Sequence, residues 1–145
     1  MRPKLATACD RTWLLTYDEM DRITSIAAPP TSPGGAPRQT TFEYNVVGDV
    51  VTVRHPDGGV DRYKYDERYQ LIEADWASGV TARYAYDDRG DLNHASVTQP
   101  DGSVGGMVDY TFDGLRRPRT VAYADGSSIA YGYDEQGGCQ AYRVS

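Results

Sequence analysis

The chain has 145 residues, a formal net charge of −6, 39% hydrophobic and 25% charged residues. That length suits one domain rather than two, and a net anion has no general attraction for phosphate backbones or anionic lipid, which argues against nucleic-acid and membrane-surface roles. No apolar run approaches the roughly 18 residues that span a bilayer, and 12 tyrosines beside 15 glycines favour strands and tight turns over helices.

The first nine residues, Met1 to Cys9, carry positive charge but no apolar segment, so no secretory signal is predicted. Leu5 to Cys9 is expected to be ordinary chain. Cys9 and Cys139 lie near opposite ends and make no CxxC-type zinc site; the spacing leaves open whether they pair.

An aromatic residue followed by Asp or Asn recurs six times: Tyr17-Asp18, Tyr44-Asn45, Tyr65-Asp66, Tyr86-Asp87, Phe112-Asp113 and Tyr133-Asp134. The intervals are 27, 21, 21, 26 and 21 residues, a 21-residue unit with two insertions. Two residues before each anchor stand Leu15, Phe42, Tyr63, Tyr84, Tyr110 and Tyr131. Four after stand Asp21, Gly48, Tyr69, Gly90, Arg116 and Gly137; six after, Ile23, Val50, Leu71, Leu92, Pro118 and Cys139; nine after, Ile26, Val53, Ala74, Ala95, Val121 and Tyr142.

Each unit reads as two strands and two turns. The first strand carries the aliphatic columns, as in Asp49 to Arg54. A hairpin turn follows at Pro56-Asp57-Gly58, Pro100-Asp101-Gly102 or Asp125-Gly126, where glycine takes positive φ without a Cβ clash. The second strand ends in aromatic-x-aromatic, as in Tyr63-Lys64-Tyr65, which puts both rings on one face. Tyr-Asp-x-x-Gly then turns the chain back. The aliphatic columns stand three apart, so either a bulge intervenes or both faces are covered. The first insertion, Ala27 to Arg38, is a loop by its prolines and glycines, and the repeat resumes in phase at Phe42; the second, Gln99 to Gly106, is expected to enlarge a hairpin tip. The expected fold is all-β: tandem antiparallel hairpins in one continuous, curved or spiralling sheet, a single array over residues 1–145.

Three stretches, Tyr86-Asp87-Asp88-Arg89-Gly90-Asp91-Leu92, His55-Pro56-Asp57-Gly58 and Tyr63-Lys64-Tyr65-Asp66, together with the six-fold register, make the chain resemble the YD repeat, also called the rearrangement-hotspot (Rhs) repeat. The resemblance runs from about Arg11 to the end. Tyr69 and Arg116 in place of glycine, and Pro118 in place of an aliphatic residue, depart from the pattern and are expected to weaken single turns or strands. Such repeats build spiralling sheets in bacterial insecticidal Tc toxins, Rhs polymorphic toxins and animal teneurins, and in the bacterial proteins the sheet closes around a toxic C-terminal segment. The resemblance therefore implies a structural role in a toxin-like secreted or delivered protein, located extracellularly, at a cell surface or delivered by a secretion system. No Asp-Pro occurs here, so the family's self-cleaving region is not assigned to this chain. Six units cover on the order of 1,600 Å² of sheet. Closing around a 100-residue guest takes roughly 5,000–6,000 Å². The expectation is thus a piece of a longer array. Its partners would be further repeats, another copy at an open edge, or an enclosed toxin segment.

No catalytic, cofactor or metal residue is assigned, and no enzymatic activity is expected. Arg89-Gly90-Asp91 matches an integrin-binding tripeptide but sits in a turn column of the repeat. His55 and His94 fall at different repeat positions and form no ligand pair. The side-by-side carboxylates Asp87-Asp88 and Asp18-Glu19 belong to the anchor column rather than to a hydrolase pair. Cys139, in the aliphatic column, is expected to be a buried small hydrophobe. The tyrosine columns read first as cross-strand ladders. The alternative is a carbohydrate-binding or adhesive face, with Tyr63 and Tyr84 as the sugar contacts.

Overall fold

The computed structural model describes residues 2–8, 11–31 and 35–144. Every regular element among them is a strand: β1 (Arg2–Ala8), β2 (Arg11–Tyr17), β3 (Ile23–Ala28), β4 (Arg38–Tyr44), β5 (Val50–Arg54), β6 (Val60–Tyr65), β7 (Leu71–Asp75), β8 (Thr81–Tyr86), β9 (Leu92–Thr98), β10 (Val104–Phe112), β11 (Pro118–Tyr123), β12 (Ser128–Tyr133) and β13 (Cys139–Val144). The fold is all-β, as the alternation and turn chemistry require. The six anchor aromatics are the last residues of six strands. The column six residues later supplies the first residues of β3, β5, β7, β9, β11 and β13.

Contacts divide the chain into two compact units, Met1–Tyr63 and Lys64–Ser145, with the division inside β6. Strand order is chain order within each, β1 to β6 in the first and β7 to β13 in the second. The strand pairings within each unit are antiparallel, as short hairpin connections allow. β1 was not foreseen from the sequence; it pairs residue for residue with β2, from Arg2 opposite Tyr17 to Ala8 opposite Arg11.

The three-residue spacing of the aliphatic columns is resolved as a bulge. In the first unit Glu43 faces Thr52 but Tyr44 faces Val50, so Val51 is skipped. Thr24 is skipped opposite Thr16/Tyr17, Asn93 opposite Ala85/Tyr86 and Arg119 opposite Thr111/Phe112. One extra residue returns Val50 to the face that Val53 occupies, opposite the rings of Phe42 and Tyr44. Each bulge sits next to an anchor aromatic and re-aims the strand leaving the turn.

The pairing sorts side chains onto two faces. In the first unit Leu15 opposes Ile26, Phe42 opposes Val53, and Tyr63 follows Asp61 on the same side. In the second, Tyr84 opposes Ala95, Tyr110 opposes Val121 and Tyr131 opposes Ala141. The other face is polar. Arg54 pairs with Glu43 at 3.2 Å, Glu73 takes both Lys64 at 2.5 Å and Arg83 at 3.0 Å, and Thr111 and Thr120 share a hydrogen bond of 2.6 Å. Among the described residues no second layer covers the ring face of either unit, and the buried apolar ones are Ala74, Ala82 and Val121, none of them large.

Two expectations are corrected. The second insertion does not enlarge a hairpin tip: Gln99 to Ser103 form a five-residue turn like the others. The extra residues lengthen β9 and β10 to 7 and 9 residues, with a register shift between Val104 and Gly106. Adding strand pairs satisfies more backbone groups than a longer loop would. Cys139 is exposed and free rather than buried, because its strand has no following strand among the described residues. Its pairing with Cys9 lies outside the described residues. At the ends of the first insertion Ala27 and Ala28 belong to β3, where they pair with Gln39 and Arg38 of β4, and residues 32–34 between these strands lie outside the described residues.

Left-handed backbone occurs at every residue of the Gly column, including three that are not glycine: Asp21 (φ 59°), Tyr69 (φ 62°) and Arg116 (φ 63°). The turns form in all three places, so the departures strain the turn without abolishing it. Tyr69 is 61% exposed, and its ring packs little. Tyr69→Gly relieves the Cβ clash and is expected to stabilise the chain by about 0.5–1 kcal/mol, net of the entropy glycine gains when unfolded. Chemical denaturation measures it; a loss of stability would show that the ring contributes more than the strain costs.

Candidate functional site

The candidate site in each unit is its anchor turns and the tyrosines that join them. Each anchor turn spans five residues. The first N–H donates to the fifth carbonyl, and the fourth N–H donates back to the first carbonyl. For Asp66 these are 2.9 Å to the Gln70 oxygen and 3.1 Å from the Tyr69 nitrogen. The Pro-Asp-Gly turns have the same backbone: His55 N–H reaches the Gly59 oxygen at 2.8 Å, and Gly58 N–H the His55 oxygen at 3.0 Å. This is the three-residue hairpin loop whose last residue is left-handed.

What differs is the side chain that closes it. In each of the six anchor turns the Oδ1 of the Asp or Asn accepts the amide hydrogens of the residues two and four later. Asp18 accepts from Met20 and Arg22, both at 2.9 Å. Asp66 accepts from Arg68 at 2.8 Å and Gln70 at 2.9 Å. Asp87 accepts from Arg89 and Asp91, both at 2.9 Å. Asp113 accepts from Leu115 and Arg117, and Asp134 from Gln136 and Gly138. Asn45 does the same from Val47 and Asp49, and also from Gly48. At the opposite end Asp57, Asp101 and Asp125 accept from the amide two residues on, at 2.8–2.9 Å. Amide donation from Arg22 and Arg117, then their guanidinium groups, hold the Asp18 and Asp113 carboxyls below the ordinary carboxylate range.

Side chains then join one turn to the next within a unit. Arg22 bonds Asp18 at 2.7 Å and lies over the Tyr44 ring, 4.6 Å from its centroid. Arg117 bonds Asp113 at 2.8 Å and lies 4.0 Å from the Tyr133 centroid. Arg68 donates to the Asp88 carbonyl at 2.8 Å and Gln70 to the Gly90 carbonyl at 3.0 Å. Arg116 forks onto the Asp91 carboxylate, whose pKa is lowered chiefly by that bond.

The anchor hydroxyls complete the join. Tyr44 donates to the Ile23 carbonyl at 2.7 Å, Tyr86 to Leu71 at 2.9 Å and Tyr133 to Pro118 at 2.7 Å. Backbone pairing with the next strand begins only at Ser25, Glu73 and Thr120, so the first residue of each of these strands lacks a strand partner on that side. The hydroxyl supplies it. These bonds and the stacked arginines were not legible in the sequence, although the tyrosine column was.

The remaining candidates fall within this scheme. The Asp91 carboxylate of Arg89-Gly90-Asp91 is engaged by Arg116, and Arg89 reaches the Asp113 carbonyl at 3.5 Å, so the tripeptide is a turn with both charges occupied. Asp87 and Asp18 point Oδ1 into their own turns, and the Oδ2 of Asp18 accepts from Arg22. His55 pairs with buried Asp61 at 2.7 Å and His94 with Asp109 at 2.6 Å. No cluster of three or more potential metal ligands occurs among the described residues. Tyr63 and Tyr84 are half-buried in the ring face, and burial pushes the Tyr63 phenol up. Tyr84 lines a shallow groove of about 470 Å³ with Tyr86, Gln70 and Asp66. No helix among the described residues is long and apolar enough to cross a membrane.

No family model and no curated protein matches the chain. Solved structures do. A crystal structure of TcdB2-TccC3-Cdc42 superposes with a TM-score of 0.51 at 13% identity over 92% of this chain, and the Photorhabdus luminescens Tc holotoxin pore with 0.51 at 12% over 92%. The chain spans 9% of the length of each of those chains. At such identity the likeness is one of fold: the sheet is similar to a section of these Tc toxin chains.

Phe112 is the one anchor without a hydroxyl, and Leu92, the first residue of β9, lies outside the β10 pairing that begins at His94. Phe112→Tyr is expected to add the missing bond to the Leu92 carbonyl and to stabilise by about 0.5–1.5 kcal/mol. A thermal melt unchanged or lowered by this substitution would contradict the role given to the hydroxyl column.

Proposed function

We propose that the chain is a noncatalytic scaffold, a section of YD-repeat sheet within a toxin-like secreted or delivered bacterial protein. One observation carries the reading: the acidic and amide side chains of the anchor column all point back into their own turns. Groups spent this way hold a backbone together and are not convergent on a substrate. The fold likeness to Tc toxin chains, together with the 21-residue register, supports the toxin-associated context. In this reading the uncovered ring face and the outer strands lie against further repeats or an enclosed segment, since a sheet with one apolar face needs something to cover it.

The test is the coding sequence on either side of this chain. The proposal expects further aromatic-Asp pairs at 21-residue spacing, followed downstream by a segment without the repeat. A reading frame that continues on both sides with neither would overturn the assignment as a shell section.

A further inference from the structure

Four residues after the anchor carboxylates Asp18 and Asp113 stand Arg22 and Arg117. The Arg22 Nε donates to the Asp18 Oδ2 at 2.7 Å, and its guanidinium lies 4.6 Å from the Tyr44 ring centroid. Arg117 repeats this with the Asp113 Oδ2 at 2.8 Å and the Tyr133 centroid at 4.0 Å. In both places one guanidinium fills the space between an anchor carboxylate and the next anchor ring. It is held there by a charge-assisted hydrogen bond and by the ring face.

The turn at Asp66 keeps both walls and lacks the cation. Gln70 stands at the arginine's position, and the next anchor is Tyr86. The Asp66 Oδ1 is occupied by the Arg68 and Gln70 amides, but its Oδ2 has no hydrogen-bond partner among the described residues. Burial, and then the Asp66 charge, push the Tyr86 phenol up, which puts that carboxylate near the ring. Gln70 turns its Nε2 to the Gly90 carbonyl and leaves its Oε1 buried without a donor. The groove of about 470 Å³ opens between these residues. Glu67, Asp87 and Asp88 also line it, and among the described residues neither they nor Asp66 has an ion pair. The one cation on the lining, Arg68, is exposed and donates to the Asp88 carbonyl at 2.8 Å.

The other junctions are closed by the chain itself. The Asn45 Nδ2 bonds the Asp49 carboxylate, which stands at the arginine's position, at 3.1 Å. After Asp87 that position is Asp91, which takes Arg116, and the next anchor is Phe112. We infer that the groove at Asp66 binds a guanidinium group, the arginine side chain of a peptide segment, with its N–H groups on the Asp66 Oδ2 and Gln70 Oε1 and its plane against the Tyr86 ring. Four carboxylates against one arginine on the lining select a cation. Two acceptors beside a flat ring select the planar, forked guanidinium over an ammonium. This inference stands on the groove and its filled counterparts and does not depend on the scaffold role.

The probe is N-acetyl-L-arginine methylamide, with the citrulline analogue as its neutral isostere and the lysine analogue as a point charge. Each is titrated into the 145-residue chain and followed by amide and tyrosine-ring NMR shifts. Saturable shifts at Asp66, Gln70 and Tyr86 are expected, with the citrulline and lysine analogues each bound about fivefold more weakly. Asp66→Asn keeps the Oδ1 acceptor, as Asn45 does in its own turn, and should remove the preference for arginine over citrulline. Gln70→Arg supplies the chain's own guanidinium, as Arg22 and Arg117 do, and should abolish binding of the probe. Unchanged shifts along β12 verify that both variants keep the sheet. Equal binding of the arginine and citrulline analogues, a preference that survives Asp66→Asn, lysine bound as tightly as arginine, undiminished binding to Gln70→Arg, or no saturable shift at these residues would overturn the inference.

Discussion

One side-chain oxygen holds each repeat in register. The Oδ1 of Asp18, Asn45, Asp66, Asp87, Asp113 or Asp134 accepts two amide hydrogens of the turn that follows it. Those amides face inward in a loop too short to pair them with backbone, and an unpaired donor is costly. A carboxylate and a carboxamide serve equally, because both present the same acceptor, which is why Asn45 stands in the column without changing the turn. The fourth residue must then be left-handed, and the chain returns at a fixed register.

The rest of the structure follows from that constraint. The returning strand leaves the turn with one residue too many, and the bulge absorbs it beside the anchor ring. The bulge turns two aliphatic residues to the ring face and leaves the strand's first carbonyl without a neighbour. The next anchor tyrosine bonds that carbonyl. Within a unit, closure, bulge and hydroxyl thus form a chain of dependence that repeats. No large side chain among the described residues is fully buried, so the order rests on hydrogen bonds, ring contacts and ion pairs along the sheet more than on a packed interior. Repeat arrays are stabilised in this nearest-neighbour manner.

Much of this was legible because the repeat displays its rules several times. The ends of the strands at Tyr44 and Tyr86, the left-handed column and the Pro-Asp-Gly turns can be read from spacing and residue type alone. The spacing of Val50 and Val53 posed the question of a bulge without answering it, since periodicity counts residues and not pairings. β1 was missed because its stretch carries no anchor and no aromatic column. Tyrosine periodicity draws attention to Tyr63 and Tyr84, which are half-buried on the ring face.

The anchor turn as the organising element is tested most directly by amide hydrogen exchange in Asp66→Ala and Asp66→Asn. The account predicts that alanine exposes the Arg68 and Gln70 amides to fast exchange and that asparagine leaves both protected. Equal protection of the two amides in the native chain and the alanine variant would contradict it.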